Sequence, residues 1–270
     1  MAGNFSGSLA SVDGRVTLAS AATIPATDEG LLRGDGVFEV IRLYDGRPLA
    51  FDEHMRRLER SADNLRLPVD LEAVSADVWR LLAQVRGAGP EHELLRIVVT
   101  RGGHRLRLTE PAPAVLETIR LASVTYSPTR ILDGVKSLSY GANMLASRLA
   151  RERGFDEALL VTPHGRVLEA PTSSIFWVAD GELLTPPLDE HILASITRAM
   201  VIAATGATER SATLDELLAA DEAFLASTAR DVQPVGAIDE RSFEAPGPVT
   251  RRTAEAVESM IRERLAEPAR

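Results

Sequence analysis

Residues 36 to 44, GVFEVIRLY, sort their side chains into two sets: Val37, Glu39, Ile41 and Leu43 on one side, Phe38, Val40, Arg42 and Tyr44 on the other. A period of two marks a strand, and the Asp45-Gly46 pair behind it is a turn signal, so the segment predicts the first arm of a hairpin. The period then changes. Met55, Leu58, Ala62 and Leu65 recur at steps of three and four, which predicts an amphipathic helix capped by Asp52 and ending before Pro68. A second helix is expected over residues 70–86. Apolar runs at 94–100 (LLRIVVT) and 115–124 (VLETIRLASV) predict two strands, and the arginine-bearing stretch RGGHRLRLTEPAPA between them predicts an irregular loop.

Over residues 121–134 the pattern loosens, with Pro128 and the turn pair Asp133-Gly134. This stretch is the expected interdomain linker between an N-terminal α/β domain, residues 1–120, and a C-terminal domain, residues 135–270. The second half predicts a helix over 142–153, strands near 157–162, 166–169 and 173–178, and a helix entered at Ser195-Ile196-Thr197. Thr213 with Glu216 has the spacing of a capping box, and Pro248 opens a C-terminal helix rich in Arg and Glu. Helices and strands in both halves predict an α/β protein of two lobes.

Composition narrows the chemistry. A hydrophobic fraction of 45% and a charged fraction of 26% exclude a wholly disordered or fibrous chain. The net charge of -9, with the arginines dispersed rather than gathered in one tract, excludes a nucleic-acid partner. Without cysteine there are no disulfides, thiolate metal sites or cysteine nucleophiles. The histidines at 54, 92, 104, 164 and 191 show no metal-ligand spacing, so no metal is expected. Gly34-Asp35-Gly36 lacks the following GK[ST] of a nucleotide loop. No secretory pattern opens the chain and no apolar run is long enough to span a bilayer, which predicts a cytoplasmic protein with no membrane partner.

One residue stands out chemically. Of the 30 basic residues one, Lys136, is lysine and the other 29 are arginine. Arginine stays protonated, whereas a lysine whose pKa is pulled down from about 10.4 attacks carbonyls to form an imine. Enzymes built on such a lysine need an anion site, an electron sink and a partner for the sink. Arg57, one turn from His54 on the predicted helix, offers paired N–H groups for a phosphate. The N–H groups of Ile196 and Thr197 open a helix and point at an anion near its positive end. Glu169 ends GRVLE before the small polar stretch APTSS, a placement that suits a carboxylate facing a site.

Together the ordered motifs GDGVFEVIRLYDG (34–46), DEHMRRLERS (52–61), VKSLSYGANMLA (135–146), DEALLVTPHGRVLEAPTSSIFWV (156–178), LLTPPL (183–188), ILASITR (192–198) and DEAFLASTARDVQPV (221–235) resemble the class IV, or fold-type IV, aminotransferases that use pyridoxal 5'-phosphate. The resemblance spans nearly the whole chain. It implies that Lys136 bonds covalently to the cofactor and moves the substrate's proton. It further implies that Glu169 pairs with the pyridine nitrogen and that Arg57, Ile196, Thr197 and Thr228 hold the phosphate. Tyr140 would donate to the cofactor's phenolic oxygen. A small N-terminal and a larger C-terminal domain with the cofactor between them, and a homodimer, are implied as well.

The resemblance leaves the substrate open within amino acids and 2-oxo acids. Phe38, Val40 and Arg42 would line the pocket, with Ala229 beside Thr228. Val40 stands where lyases of the family usually carry threonine and branched-chain members glycine, and where D-amino-acid enzymes carry valine. Arg96, Arg105 and Arg107 are candidate clamps for the α-carboxylate, because a guanidinium matches a planar carboxylate bidentately. The expected activity is transamination of amino acids, with D-amino-acid-like, branched-chain or relaxed specificity. Its alternatives are a 4-amino-4-deoxychorismate lyase that releases pyruvate, and a protein that binds the cofactor without turnover.

Overall fold

The computed structural model describes residues 5, 7–85 and 92–266. Its chain forms two compact units, Met1–Pro113 with Gly134–Tyr140, and Ala114–Asp133 with Gly141–Arg270.

The first unit is an antiparallel sheet with its two long helices packed on one face. Its strands are β1 (Leu9–Val12), β2 (Arg15–Leu18), β3 (Gly36–Tyr44), β4 (Arg47–Pro48), β5 (Leu94–Thr100) and β6 (Arg105–Glu110), ordered β2-β1-β6-β5-β3-β4. Helix α1 is Glu29–Arg33, α2 is Phe51–Asn64 and α3 is Leu71–Val85; residue 86 of the expected second helix lies outside the described residues. The two-residue alternation decides which side chains the helices cover. Val37, Ile41 and Leu43 of β3 and Leu95, Ile97 and Val99 of β5 form one core with Met55, Leu58 and Ala62 of α2 and Val74, Val78 and Leu81 of α3.

Two expectations for this unit change, and one element is new. The stretch RGGHRLRLTEPAPA is not all loop, because RLRLTE forms β6, whose Arg-Leu alternation is strand periodicity with both arginines on one side. Asp52 does not cap α2: the helix starts at Phe51, and Ala50 at the N-cap makes no side-chain bond, with φ 53°. The β1–β2 hairpin around Asp13-Gly14 was not expected, although an Asp-Gly pair between apolar runs signals one.

In the second unit the strands are β7 (Ile119–Thr125), β8 (Glu157–Val161), β9 (Ser174–Ala179), β10 (Glu182–Thr185), β11 (Thr208–Glu209), β12 (Glu222–Ser227), β13 (Asp231–Ile238) and β14 (Arg241–Ser242). Their order is β11-β10-β9-β12-β13-β7-β8, and β14 pairs with β13. Helices α4 (Gly141–Glu152), α5 (Ile196–Thr205), α6 (Leu214–Leu218) and α7 (Pro248–Ala266) complete it. Leu121, Leu159, Ile175, Trp177 and Leu225 pack in one core, and Ala122, Ala158 and Leu160 pack with Ala146 and Ala150 of α4 in another. The capping box predicted at Thr213 and Glu216 is present, with both reciprocal bonds made. Glu222, buried on β12, accepts from the N–H groups of Val249 and Thr250 and from the Thr250 hydroxyl, satisfying donors at the start of α7.

The division differs from the expected one. Residues 119–125 are no linker but a strand paired in parallel with both β8 and β13. Leu121 packs in one core and Ala122 in the other, so the run lacks the clean alternation of a one-sided strand. Residues 115–118 lie outside β7, with Val115 82% exposed. Gly134–Tyr140 groups with the first unit, because its backbone pairs with β3. Residues 166–169 form isolated bridges rather than a strand: Val167 pairs with Val161 and Arg166 with Thr213.

Candidate functional site

In the first unit the geometry begins at Lys136. Phe38 N–H donates to the Lys136 carbonyl at 3.0 Å and Leu138 N–H to the Gly36 carbonyl at 2.9 Å, so the lysine's segment lies along β3. From the other side Lys136 N–H donates to Ser61 Oγ on α2 at 3.1 Å. A side chain at residue 36 would prevent this approach. A Cβ there would stand 2.5 Å from the Val99 carbonyl oxygen and 2.6 Å from Leu138 Cδ1. With its backbone held, the half-buried lysine places Nζ 4.4 Å from the Phe38 ring centroid and 5.9 Å from that of Tyr140. Phe38 and Tyr140 meet edge to face at 5.3 Å.

On the opposite side of β3 sits Glu39, wholly buried. Arg57 on α2 reaches it with Nε to Oε1 at 2.7 Å and Nη2 to Oε2 at 2.6 Å, a bidentate pair. His54 Nδ1 lies 2.7 Å from Glu39 Oε2. Burial by itself would raise the Glu39 pKa; the hydrogen bonds and charge of Arg57, then those of His54, overcome it and hold the carboxyl at about 2. For His54, burial dominates and lowers the pKa; the Glu39 contact opposes this, and the charges of Arg57 and Lys136 add to it. The imidazole is therefore neutral at pH 7. An ionised carboxylate only accepts, so Nδ1 carries the proton and donates to Glu39.

The expected pocket residues split between the two faces of this sheet. Val40 pairs with Arg96, so both share the face of Phe38. Arg96 lies with Cζ 5.6 Å from the Phe38 ring centroid and Nε 2.6 Å from Glu110 Oε1. Arg42, on the same side of β3, donates from Nη2 to Glu93 at 3.0 Å. Arg105 and Arg107 do not join them. They alternate onto the helix-covered face, where Arg105 Nε bonds Asp77 of α3 at 3.0 Å and Arg107 is fully buried with Nη2 3.9 Å from the same carboxylate. Burial, only partly offset by Asp77, pulls the Arg107 guanidinium down to about 10. Neither arginine is placed with Phe38 to clamp a carboxylate.

The second unit carries the remaining candidates. Glu169 is half-buried; its carbonyl accepts from Leu160 N–H at 2.9 Å and its Oε1 from Leu193 N–H at 3.2 Å. The Tyr126 phenol is raised by burial first and by the Glu169 charge second. Ser195 is the N-cap of α5 and its side chain accepts from Arg198 N–H. The N–H groups of Ile196 and Thr197 belong to the first turn, where no intrahelical acceptor exists, and point from the positive end of the helix. Thr228 and Ala229 are half-buried in the turn between β12 and β13.

One feature was missed in the sequence: Glu39, a carboxylate on the apolar side of β3, whose partners His54 and Arg57 stand at i, i+3 on α2. Among the described residues no group of three His, Cys, Asp or Glu is arranged to hold a metal ion, and no helix is long and apolar enough to cross a membrane.

Comparison with known proteins places these features in context. The family described as amino-transferase class IV matches residues 36–238. A protein of Methanocaldococcus jannaschii, provisionally named a branched-chain-amino-acid aminotransferase, is 35% identical over 87% of this chain and 90% of its own length. The D-alanine aminotransferase of Bacillus licheniformis is 30% identical over 92% of this chain and 95% of its own. A solved structure of a hypothetical aminotransferase from Mycobacterium tuberculosis in its pyridoxal-phosphate-bound form is 25% identical. It superposes with a TM-score of 0.85, covering 94% of this chain and 98% of that one.

Proposed function

From the premise that this chain belongs to the class IV aminotransferases and is an aminotransferase enzyme, we propose that it binds pyridoxal 5'-phosphate through Lys136 and moves an amino group between an amino acid and a 2-oxo acid. The observation that carries the reading is Lys136 itself. The chain's only lysine is pinned by backbone bonds to β3 and α2, with its amine 4.4 Å from the Phe38 ring.

The donor set fits the cofactor's chemistry. When bound, pyridoxal 5'-phosphate supplies a carbonyl that captures amines and a ring that accepts the electrons released at the substrate's α-carbon. Lys136 holds it and, once released, carries the proton to and from the α-carbon. That work needs a neutral amine at one stage. Glu169 offers a negative partner that keeps a pyridine nitrogen protonated. Ile196, Thr197 and Thr228 offer neutral donors to the phosphate. Arg57 bonds Glu39 through Nε and Nη2, which fixes the plane of the guanidinium proposed to meet the phosphate. Tyr140 is the candidate donor to the phenolic oxygen.

For the substrate, Phe38, Val40 and Arg96 share one sheet face, and Arg96 is the arginine of the three candidates that lies beside Phe38. We assign it the α-carboxylate. Arg42 and Ala229 are proposed to border the same substrate. This favours amino acids over simple amines as donors.

The test is the visible spectrum of the protein with pyridoxal 5'-phosphate, followed as D-alanine or L-leucine is added. The wild type is expected to show a protein-bound band that one amino acid converts to the pyridoxamine form. Lys136→Ala is expected to lose the band and at least about a thousandfold in turnover while keeping its fold. Sustained turnover by that variant without added amine would remove Lys136 from its role.

A further inference from the structure

The tight turn from Ser227 to Asp231 presents Thr228 and Ala229, and the residue that follows them is a guanidinium with no role in the function proposed above. Arg230 N–H donates to the Ser227 carbonyl at 3.3 Å, and Asp231 takes a φ of 51°, so the backbone under Arg230 is set by the turn. The side chain is half-buried, and its Nη1 is shut away from solvent without a hydrogen-bond partner among the described residues. A buried donor without an acceptor is destabilising, and more so when it is charged. Elsewhere in this unit arginines find carboxylates: Arg166 pairs with Glu190, Arg153 with Asp239 and Arg198 with Glu209. Arg230 Nη1 does not.

Charge makes the same point from the ligand's side. A phosphate and a carboxylate both bring negative charge. In the second unit the donors assigned to the phosphate, Ile196, Thr197 and Thr228, are all neutral. In the first unit the Arg57 charge is already balanced by Glu39. Arg230 is the one basic residue of the turn that carries Thr228 and Ala229. Guanidinium N–H groups match oxyanions, and an oxygen acceptor at Nη1 would relieve the cost of its burial.

We propose that Arg230 is an anion-holding residue of this turn, whose guanidinium takes an oxyanion, the cofactor's phosphate or the substrate's carboxylate, next to Thr228 and Ala229. The proposal rests on the aminotransferase reading for the identity of the anion, but not for the contact itself. It gives a role to Arg230, which stands in the motif of residues 221–235 but to which the resemblance assigns none.

The experiment compares wild type, Arg230→Gln and Arg230→Lys. Pyridoxal 5'-phosphate affinity is read from the visible band, inorganic phosphate and pyruvate binding to cofactor-free protein by calorimetry, and KM for alanine against that for isopropylamine, which lacks a carboxylate. Loss of a charge-assisted bond is expected to weaken one anion about tenfold or more in Arg230→Gln, with Arg230→Lys intermediate. Weakening of pyridoxal 5'-phosphate and inorganic phosphate alone assigns the phosphate. A raised KM for alanine, with isopropylamine and cofactor affinity unchanged, assigns the carboxylate. Values for every anion within about twofold of wild type overturn the proposal. So does a clear fall in the thermal midpoint of cofactor-free Arg230→Gln, because a buried Nη1 that makes no hydrogen bond leaves none to lose in that state. If the wild type forms no band at all, the aminotransferase reading fails by itself. Phosphate and pyruvate titrations then still decide Arg230, and equal or absent binding in wild type and Arg230→Gln overturns its role.

Discussion

Glu39 is a single carboxylate serving Arg57 and His54 in a place where water does not reach, and its loss is therefore expected to be costly. Glu39→Gln removes one partner of a buried ion pair and strands the Arg57 charge; the expected loss is about 3–5 kcal/mol in urea unfolding at pH 7. The same group makes a pH prediction. Its native pKa of about 2 lies below the ordinary 4.5, so the unfolded chain takes up the proton first. The stabilisation is complete above about pH 4.5 and disappears as the pH falls toward 2, with a size of about 3 kcal/mol. His54 acts in the same direction over a higher range: burial lowers its pKa from 6.5, so stability declines as the pH drops below that value. Urea midpoints measured from pH 7 downward should fall in wild type and fall less below pH 4.5 in Glu39→Gln. Parallel curves would mean that Glu39 is not the group titrating.

At the scale of elements, the seating of Lys136 depends on how closely a loop can approach a strand. Residues 136–138 bond to Gly36 and Phe38 on β3, while β5 flanks the same strand through the Gly36–Thr100 pairing. There is no room for a side chain at residue 36, since a Cβ would meet the Val99 carbonyl at 2.5 Å and Thr100 Cα at 3.1 Å. Backbone atoms cannot swing aside as a flexible side chain can. Gly36→Val is expected to push β3 from β5 or Lys136 from β3. The protein-bound visible band should fall by more than about tenfold in affinity, with a stability loss of about 1–3 kcal/mol. An unchanged band would show that the lysine does not need this seating. The sequence displayed the strand clearly here, because its alternation is local. It hid the contact with 136–138, because nothing local to either segment records that the two are adjacent.

For the molecule as a whole, the two units have separate cores. Leu58 is fully buried in the first, and Leu121 is fully buried in the second. Leu58→Ala and Leu121→Ala are each expected to cost about 2–5 kcal/mol, and their effects to sum within about 0.5 kcal/mol, because the two side chains share no neighbours. A double variant much more stable than the sum would show an interaction between the two positions that their separate packing does not suggest.

What the sequence determined by itself is what short-range physics encodes. A period of two marked β3, a 3.6 period marked α2 and an apolar run marked β5; the Thr213–Glu216 box and Pro248 marked helix starts; and the chemistry of a lone lysine with the ordered motifs around it marked the family. Tertiary structure decided what depends on which face meets which neighbour. It turned Arg105 and Arg107 toward Asp77 and left Arg96 with Phe38, since a strand's alternation fixes two faces without saying which one the helices cover. It made 119–125 a strand paired on both sides, because a strand covered on both faces loses the alternation that would reveal it. It grouped Lys136 with the first unit rather than the second. A backbone pairing between residues about a hundred positions apart has no trace in the local pattern of either partner.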